Sequence, residues 1–272
     1  NRYEPQFFVF YDLGLQFDKF LAVCKDKVEI YERFSDAPDY NRDVLNFNNT
    51  LSQLDISPMI YTQSVCAIPQ HTKQSLPILD VIDVNIEKLH SFLKLPEDLE
   101  INGLISKYCL ERVEEKVIAF VLSKPSYYFS RSIGFCLSPR IILSEAFLKL
   151  CEQIKSGAKR LSVVVEIDII HAVSNFNLFV KARDLLNKLE FKICITNMNY
   201  MTFTQLNRFE LNADLIKLVW DKQFASVKLA ETMQRAVTAS GSNRIILTKC
   251  DTPESIRAGH FLGISLFQGK SV

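Results

Sequence analysis

The chain has few of the residues that build phosphate-binding loops or structural cross-links. It contains eight glycines in 272 residues, and neither a G-x-G-x-x-G pattern nor a P-loop pattern occurs. Its seven cysteines are odd in number and form no C-x-x-C pair, and its four histidines show no metal-site spacing. These absences argue against Rossmann-type and P-loop nucleotide binding and against a disulfide framework, and they favour a reducing, cytoplasmic compartment.

Charge and hydrophobicity argue against two classes of partner. The formal net charge is +1 and no Lys/Arg-rich run stands out, so no nucleic-acid surface is predicted. No run reaches the roughly 18 apolar residues that a membrane helix needs, so no membrane segment is predicted in this chain. The sequence begins at Asn1 without an initiator Met or a signal-peptide pattern, and what lies upstream of Asn1 is left open.

What the sequence does contain is a series of strand-like apolar runs separated by helix-like segments. The runs lie at 59–68, 78–84, 132–137, 161–168, 191–197, 214–220, 244–249 and 264–269. Helices are predicted at 96–123, 144–156, 173–189, 202–209, 224–239 and from 253 onward. This alternation predicts an α/β fold with a parallel sheet. It favours a closed (β/α) barrel over an open α/β sheet, which stays as the alternative.

Residues 1–57 do not follow the repeat. A strand is predicted at 7–13 and a helix at 17–34, followed by a polar stretch at 36–49. We therefore expect an N-terminal extension of unknown type over 1–57 and a barrel domain over 58–272.

The carboxyl ends of parallel strands are where folds of this kind hold their catalytic groups. In this chain those ends carry Glu166, Thr196, Asn197, Lys217, Thr248 and Gln268. Most of these side chains are neutral. The pattern indicates a catalytic layout whose acids have mostly been replaced.

Eight short segments resemble, in order, the motifs of the EAL family, the bacterial cyclic-di-GMP phosphodiesterase domain. They are YTQSV (61–65), NGLISKYCL (102–110), FCLSPR (135–140), VEID (165–168), EFKICITNMN (190–199), IKL (216–218), IILTKCDT (245–252) and FQG (267–269). The resemblance extends from about residue 59 to the C-terminus. It implies a TIM-type (β/α) barrel of the EAL kind.

The resemblance also implies a metal-dependent site, most of which this sequence has lost. The family binds divalent metal ions through acidic and amide side chains. By the resemblance, Glu166 keeps a metal-ligand acid, Lys217 keeps the family's conserved lysine and Gln268 keeps its terminal glutamine. A ligand Asn is replaced by Cys136, the paired Asp residues by Thr196 and Asn197, and a later Glu by Thr248. The signature Glu falls within 77–83, where Asp80 or Asp83 is a substitute that aligns poorly.

Mg²⁺ usually needs at least one or two carboxylates, so this ligand set predicts no metal and no catalytic residue. Mg²⁺ or Mn²⁺ is expected only if the site is active. Gln63, Glu166, Lys217 and Gln268 remain as candidates for ligand binding. Two structural alternatives stay open: Glu166 and Lys217 form an ion pair, and Gln268 satisfies a backbone group.

We expect a catalytically inactive EAL-like module with a regulatory or protein-interaction role in bacterial signalling. The alternative is a cyclic-di-GMP receptor that binds without hydrolysis, and the third possibility is an active phosphodiesterase. The expected partners are another protein or a second copy of the chain, with cyclic-di-GMP as a further candidate.

Overall fold

Eight strands of the described chain close into a barrel in chain order. They are β1 (Ile60–Ala67), β2 (Leu76–Val84), β3 (Ile133–Cys136), β4 (Val163–Asp168), β5 (Lys192–Met198), β6 (Leu215–Val219), β7 (Ile245–Thr248) and β8 (Leu266–Phe267). The computed structural model describes residues 40–70, 74–93, 103–128, 132–157, 162–206, 208–225 and 227–272. The strand predicted at 7–13 and the helix predicted at 17–34 lie outside these residues.

The first strand runs against the others. β1 pairs antiparallel with both β2 and β8, while β2 to β8 pair in parallel. The sequence predicted a parallel sheet, so β1 is a correction. The connection between β1 and β2 is too short for the crossover of about a dozen residues that parallel neighbours need. As a result, the start of β1 lies at the same end of the barrel as the carboxyl ends of the other strands.

Helices connect the parallel strands. The α-helices are α1 (Tyr40–Gln53), α2 (Ile86–Leu93), α3 (Gly103–Ser123), α4 (Pro125–Tyr128), α5 (Pro139–Ile142), α6 (Glu145–Ser156), α7 (Ile169–Ser174), α8 (Phe176–Lys188), α9 (Tyr200–Gln205), α10 (Arg208–Leu211), α11 (Val227–Ser240) and α12 (Pro253–Phe261). Short 3₁₀ turns cover Ser57–Met59, Lys222–Ala225 and Ser242–Arg244.

Two helix predictions need correction, and a further helix begins in a stretch for which none was predicted. The helix predicted at 202–209 corresponds to two short helices, α9 and α10. The single helix predicted at 173–189 is two helices, because Asn175 leaves the helical region (φ −143°, ψ 75°) and its side chain accepts from Leu178 N at 3.1 Å to cap α8. The polar stretch predicted at 36–49 contains the start of α1. Phe47 and Leu51, one helical turn apart, bury that helix against the core and offset its many Asn residues.

The barrel has an apolar interior and a larger apolar layer between its strands and helices. Inside lie Val65, Leu79, Val81, Val164, Cys194 and Ile246. Alternate residues of the same strands, such as Val165, Ile167 and Ile195, pack outward against the helices. The parallel strands β4 to β7 are therefore buried on both faces over most of their length, which explains the largely apolar runs seen in the sequence.

The contacts divide the chain into Asn1–Asn46 and Phe47–Val272. The structure describes only 40–46 of the first unit, where the chain is helical. The division into an extension and a barrel domain after residue 57 stays a prediction. Across the described residues, no helix combines the length and the apolar character that crossing a membrane requires.

Candidate functional site

A ring of polar side chains lies at the carboxyl end of the barrel, directly above the apolar interior. We call this ring the barrel mouth and define it by Gln63, Cys136, Glu166, Thr196, Lys217, Thr248 and Gln268. Each of these residues is two positions away from an inner-face residue of the same strand. Glu166 follows Val164 at this spacing, and Thr196 follows Cys194. Because side chains alternate across a strand, all of them face inward.

Glu166 of β4 and Lys217 of β6 form a buried ion pair at the centre of the mouth. Lys217 Nζ lies 2.5 Å from Glu166 Oε1, and the two side chains are 7% and 4% exposed. β5 separates the two strands, so both side chains reach across the barrel interior to meet. The ion pair is the structural alternative that the sequence had left open.

Burial raises the pKa of Glu166 above its usual value. The neighbouring ammonium of Lys217 opposes this rise, and the carboxylate of Asp83 adds to it. The ionised form of Glu166 therefore depends on Lys217, since no other cation contributes to it among the described residues.

Beside this pair, Asn197 is bonded to the last residue of β4. Asn197 has a positive φ of 59°, and the pairing of β5 with β6 is irregular between Ile195 and Met198. This irregularity turns Asn197 so that its Nδ2 donates to Asp168 Oδ2 at 2.5 Å. The other oxygen of Asp168 accepts from Ile170 N at 2.7 Å and caps α7. Both oxygens of this carboxylate are therefore engaged.

On the opposite side of the mouth, Tyr61 and Asp83 face each other across the antiparallel pair β1–β2. Tyr61 Oη donates to Asp83 Oδ2 at 3.1 Å, while Asp83 Oδ1 accepts from Val84 N at 2.7 Å. Burial, together with the Asp83 carboxylate, raises the pKa of Tyr61 to about 12. The hydroxyl therefore stays protonated and keeps donating to Asp83.

Of the two acids considered as a substitute for the signature Glu, Asp83 is the one at the mouth. It lies two positions after the interior residue Val81, whereas Asp80 has the opposite parity and accepts from Ser64 Oγ at 2.6 Å. Tyr61 was not singled out from the sequence. Its even spacing from Val65 already predicted that Tyr61 faces inward. Its position at the mouth, opposite Asp83, follows only from the antiparallel direction of β1.

Gln268 closes the ring next to Gln63. Its Nε2 donates to the backbone oxygen of Gln63 at 3.4 Å, a long hydrogen bond, and its side chain is 6% exposed. Gln268 thus hydrogen-bonds a backbone group, which is the second structural alternative that the sequence left open. A Cβ added to the next residue, Gly269, would lie 2.4 Å from Cys250 N, so only glycine lets the two backbones approach this closely.

The replaced ligand positions engage the protein itself or carry a protonated thiol. Thr248 Oγ1 donates to Leu218 O at 3.3 Å. Part of Cys136 is accessible to solvent, but protein atoms surround its thiol closely. This desolvation raises the pKa of the thiol well above its usual value, and the carboxylates of Glu166 and Asp83 add to the rise.

Behind Cys136, a buried glutamate of α3 holds the segment that leaves β3. Ser138 donates to Glu114 Oε2 through its backbone N at 2.9 Å and through its Oγ at 2.7 Å. Burial raises the pKa of Glu114 from 4.5 to about 7; the two Ser138 bonds oppose this rise, and the carboxylates of Glu111 and Glu115 add to it. The mouth is therefore fixed on this side by a carboxylate that titrates near neutral pH.

The donor set of the mouth does not fit a divalent metal ion. Within the described residues, no three His, Cys, Asp or Glu side chains come together as a metal site. Hard cations prefer several oxygen ligands with at least one or two carboxylates. Glu166 is paired with Lys217, both oxygens of Asp83 are hydrogen-bonded, and Cys136 offers a protonated thiol.

Comparison with known proteins finds a similarity of fold to solved EAL domains and no similarity of sequence. No protein-family model matches the chain, and no curated protein is significantly similar to it. BlrP1 of Klebsiella pneumoniae, solved with manganese and cyclic-di-GMP, matches with a TM-score of 0.53 and 16% identity, over 78% of this chain and 54% of BlrP1. The EAL domain of Xanthomonas citri FimX, in complex with cyclic-di-GMP, matches with a TM-score of 0.55 and 9% identity, over 84% and 91%.

Vibrio cholerae LapD, solved without ligand and spanning an S helix, a GGDEF domain and an EAL domain, gives a TM-score of 0.56 at 10% identity. The match covers 84% of this chain and 56% of that one. This chain thus spans about half the length of the solved BlrP1 and LapD chains. At such identities the likeness shows a common fold, which confirms the predicted barrel of the EAL kind and the resemblance to EAL domains.

Proposed function

We propose that this chain is a catalytically inactive EAL-like domain that acts as a regulatory or protein-interaction module in cyclic-di-GMP signalling. The observation that carries the proposal is the buried pair of Glu166 and Lys217 at 2.5 Å. The one acid kept from the family's ligand set is neutralised by a lysine. Its neighbours Thr196 and Thr248 offer no charge that would hold a metal ion.

A hydrolysis assay tests the absence of catalysis. We expect no linear dinucleotide when the protein is incubated with cyclic-di-GMP and Mg²⁺ or Mn²⁺, in parallel with an active EAL domain as positive control. Turnover above background that disappears in Glu166→Ala would overturn the proposal. Glu152→Ala is the matched control, because Glu152 is an exposed acid on α6.

The interaction role is supported by apolar side chains that the described chain leaves uncovered just after β4. Ile170, Val173 and Phe176 are 66%, 51% and 47% exposed, although large apolar side chains in α7 and α8 would ordinarily face a partner or the core. Sedimentation velocity distinguishes the two predicted partners. A homodimer sediments as such when purified, whereas a chain that binds another protein remains monomeric on its own.

A second function, reception of cyclic-di-GMP without hydrolysis, is favoured by the openness of one side of the mouth. Tyr61 is 42% exposed and Cys136 also reaches solvent, so a planar base has an aromatic ring available next to the mouth. Titration calorimetry tests this function. Binding with a Kd below about 100 µM that is weakened by Tyr61→Ala supports the receptor, and no heat at that concentration excludes it. Tyr127→Ala is the control, since Tyr127 is an exposed tyrosine on α4.

A further inference from the structure

A cleft of about 580 Å³ lies on the outside of the barrel between α11 and α12. The 3₁₀ turn that follows β6 closes its inner side. The cleft is lined by Phe224, Ala230, Glu231, Gln234, Glu254, Arg257, Ala258 and Phe261. None of these side chains belongs to the barrel mouth. The cleft is therefore a separate feature of the molecule, of the size at which proteins bind ligands or side chains of partners.

The cleft exists because both helices present alanine to it. Ala230 of α11 and Ala258 of α12 line the space where neighbouring helices of a barrel would ordinarily interlock larger side chains. Below them, Phe224 is 2% exposed and is held edge-on by Trp220, with ring centroids 5.3 Å apart. The side chains on both walls of an unfilled apolar cleft lack van der Waals contacts there. An apolar side chain bound in the cleft would supply these contacts.

The lining changes character along α12. Glu254, Arg257, Ala258 and Phe261 follow one another at helical spacing, so they form one stripe along the whole helix. The polar end of this stripe is Glu254 and Arg257. Its apolar end is Phe261, whose ring is 64% exposed, a large fraction for a side chain that borders a cleft.

The charges of the lining favour a basic occupant. Two carboxylates, Glu231 and Glu254, line the cleft against one guanidinium, Arg257. Glu231 contacts Arg235 on the same helix at 3.7 Å, but both side chains are more than two-thirds exposed. Such an exposed ion pair contributes little free energy, so Glu231 can pair with a cation of a partner instead. Neither Glu254 nor Arg257 has an ion-pair partner within the part of the chain that the structure describes.

We propose that this cleft is a docking groove for an amphipathic helix of a partner protein, with bulky apolar side chains on one face and Lys or Arg beside them. The stripe on α12 spans seven residue steps, about 10 Å, which matches two turns of a helix laid along it. Apolar anchors would pack on Phe224 and Phe261, and the basic residues would face Glu231 and Glu254. The inference deepens the proposed interaction role by naming the chemistry of a partner.

Synthetic peptides provide the probe. The first is a helix of about 14 residues with leucines at i, i+3, i+4 and i+7 and lysines flanking them; the second has every lysine replaced by glutamate. Fluorescence anisotropy of the labelled peptides with the full chain measures both affinities. We expect the basic peptide to bind more tightly than the acidic one, with a difference that shrinks as salt is added.

Two variants test the location. Ala258→Leu fills the cleft and is expected to weaken binding of the basic peptide about tenfold or more. Ala239→Leu is its control, because Ala239 is an exposed alanine of α11 outside the lining. Glu254→Lys is expected to reverse the preference between the two peptides. Glu145→Lys is its control, because Glu145 is another exposed acid in the first turn of a helix.

Equal affinities for the two peptides, or equal effects of Ala258→Leu and Ala239→Leu, would overturn the proposal. A dimer of the chain that Ala258→Leu dissociates would assign the groove to a second copy instead. If Ala258→Leu does not fold, Phe261→Ala replaces it, since Phe261 is largely exposed. The proposed inactivity is tested separately at the mouth: hydrolysis of cyclic-di-GMP overturns it whatever the peptides do, and loss of peptide binding leaves it standing.

Discussion

The buried pair of Glu166 and Lys217 gives the sharpest test of how the barrel mouth is stabilised. Lys217→Met keeps most of the apolar stem of the side chain but removes its charge, so Glu166 is left in a site where its carboxyl is 4% exposed. Removing one partner of a buried ion pair typically costs about 3–5 kcal/mol. Glu166 has one way to reduce this cost, which is to bind a proton.

The magnitude follows from the cost of that proton. Starting from the ordinary pKa of 4.5 for a glutamate carboxyl, protonation at pH 7 costs about 3.4 kcal/mol, and at pH 5.5 it costs about 1.4 kcal/mol. The folded variant binds this proton where the unfolded chain does not, so the stability lost relative to wild type must shrink as the pH falls. We expect Lys217→Met to lose about 3 kcal/mol at pH 7 and less than half of that at pH 5.5.

Urea unfolding followed by the fluorescence of the single tryptophan, Trp220, measures both values. The double variant Glu166→Gln/Lys217→Met, which has no charge at either position of the pair, should regain much of the loss at pH 7. Lys149→Met is the control, because its ion pair with Glu145 is exposed and should contribute less than about 1 kcal/mol. The reasoning is refuted if Lys217→Met costs less than about 1 kcal/mol at pH 7 or if its cost does not change with pH.

Three further predictions concern the surroundings of the mouth. Because the pKa of Glu114 is raised to about 7 in the folded state, its contribution to stability is fully present below about pH 4.5 and is lost as the pH rises through 7. Glu114→Gln should therefore remove a pH dependence of about 3 kcal/mol from the free energy of unfolding measured in urea; equal pH profiles for both proteins would contradict this. Gly269→Ala should destabilise the fold by about 1–3 kcal/mol, because the new Cβ lies 2.4 Å from a backbone nitrogen, whereas Gly157→Ala at a helix end should be tolerated, as thermal melting would show. Asn197→Asp removes the donor to Asp168 and places a second carboxylate against it, so it should lower the melting temperature at pH 7; a melting temperature equal to that of the wild type would disprove the contact.

The barrel and the inward direction of the candidate residues follow from local patterns. Val163–Asp168 and Lys192–Met198 are largely apolar runs bounded by helix signals, and such runs predict parallel strands buried on both faces. Once the strands are placed, alternation assigns Glu166 and Thr196 to the same face as Val164 and Cys194. This much requires no knowledge of which strands are neighbours.

The contacts between mouth residues join distant parts of the chain. Local apolar patterns and side-chain alternation do not determine which of these residues meet. Lys217 meets Glu166 only because β4, β5 and β6 are consecutive in a closed barrel with a definite register. Tyr61 meets Asp83 because β1 reverses direction, which a period-two pattern does not reveal. The division between α7 and α8 depends on a single residue, Asn175, whose side chain caps the second helix.

The replacements at the mouth make physical sense as one set. In the family that the chain resembles, several carboxylates share a site whose like charges are offset by metal ions. Without the metal, each acid raises the pKa of the next, as Asp83 still does for Glu166, and every ionised acid in a desolvated site costs free energy. At two positions where the resemblance gives carboxylates, Thr196 and Thr248 carry no charge. Lys217, a lysine that the resemblance gives for the family as well, lies against Glu166 and offsets its charge. The inactivity proposed above agrees with this set, because with two charges removed the ion pair neutralises Glu166 without a metal ion.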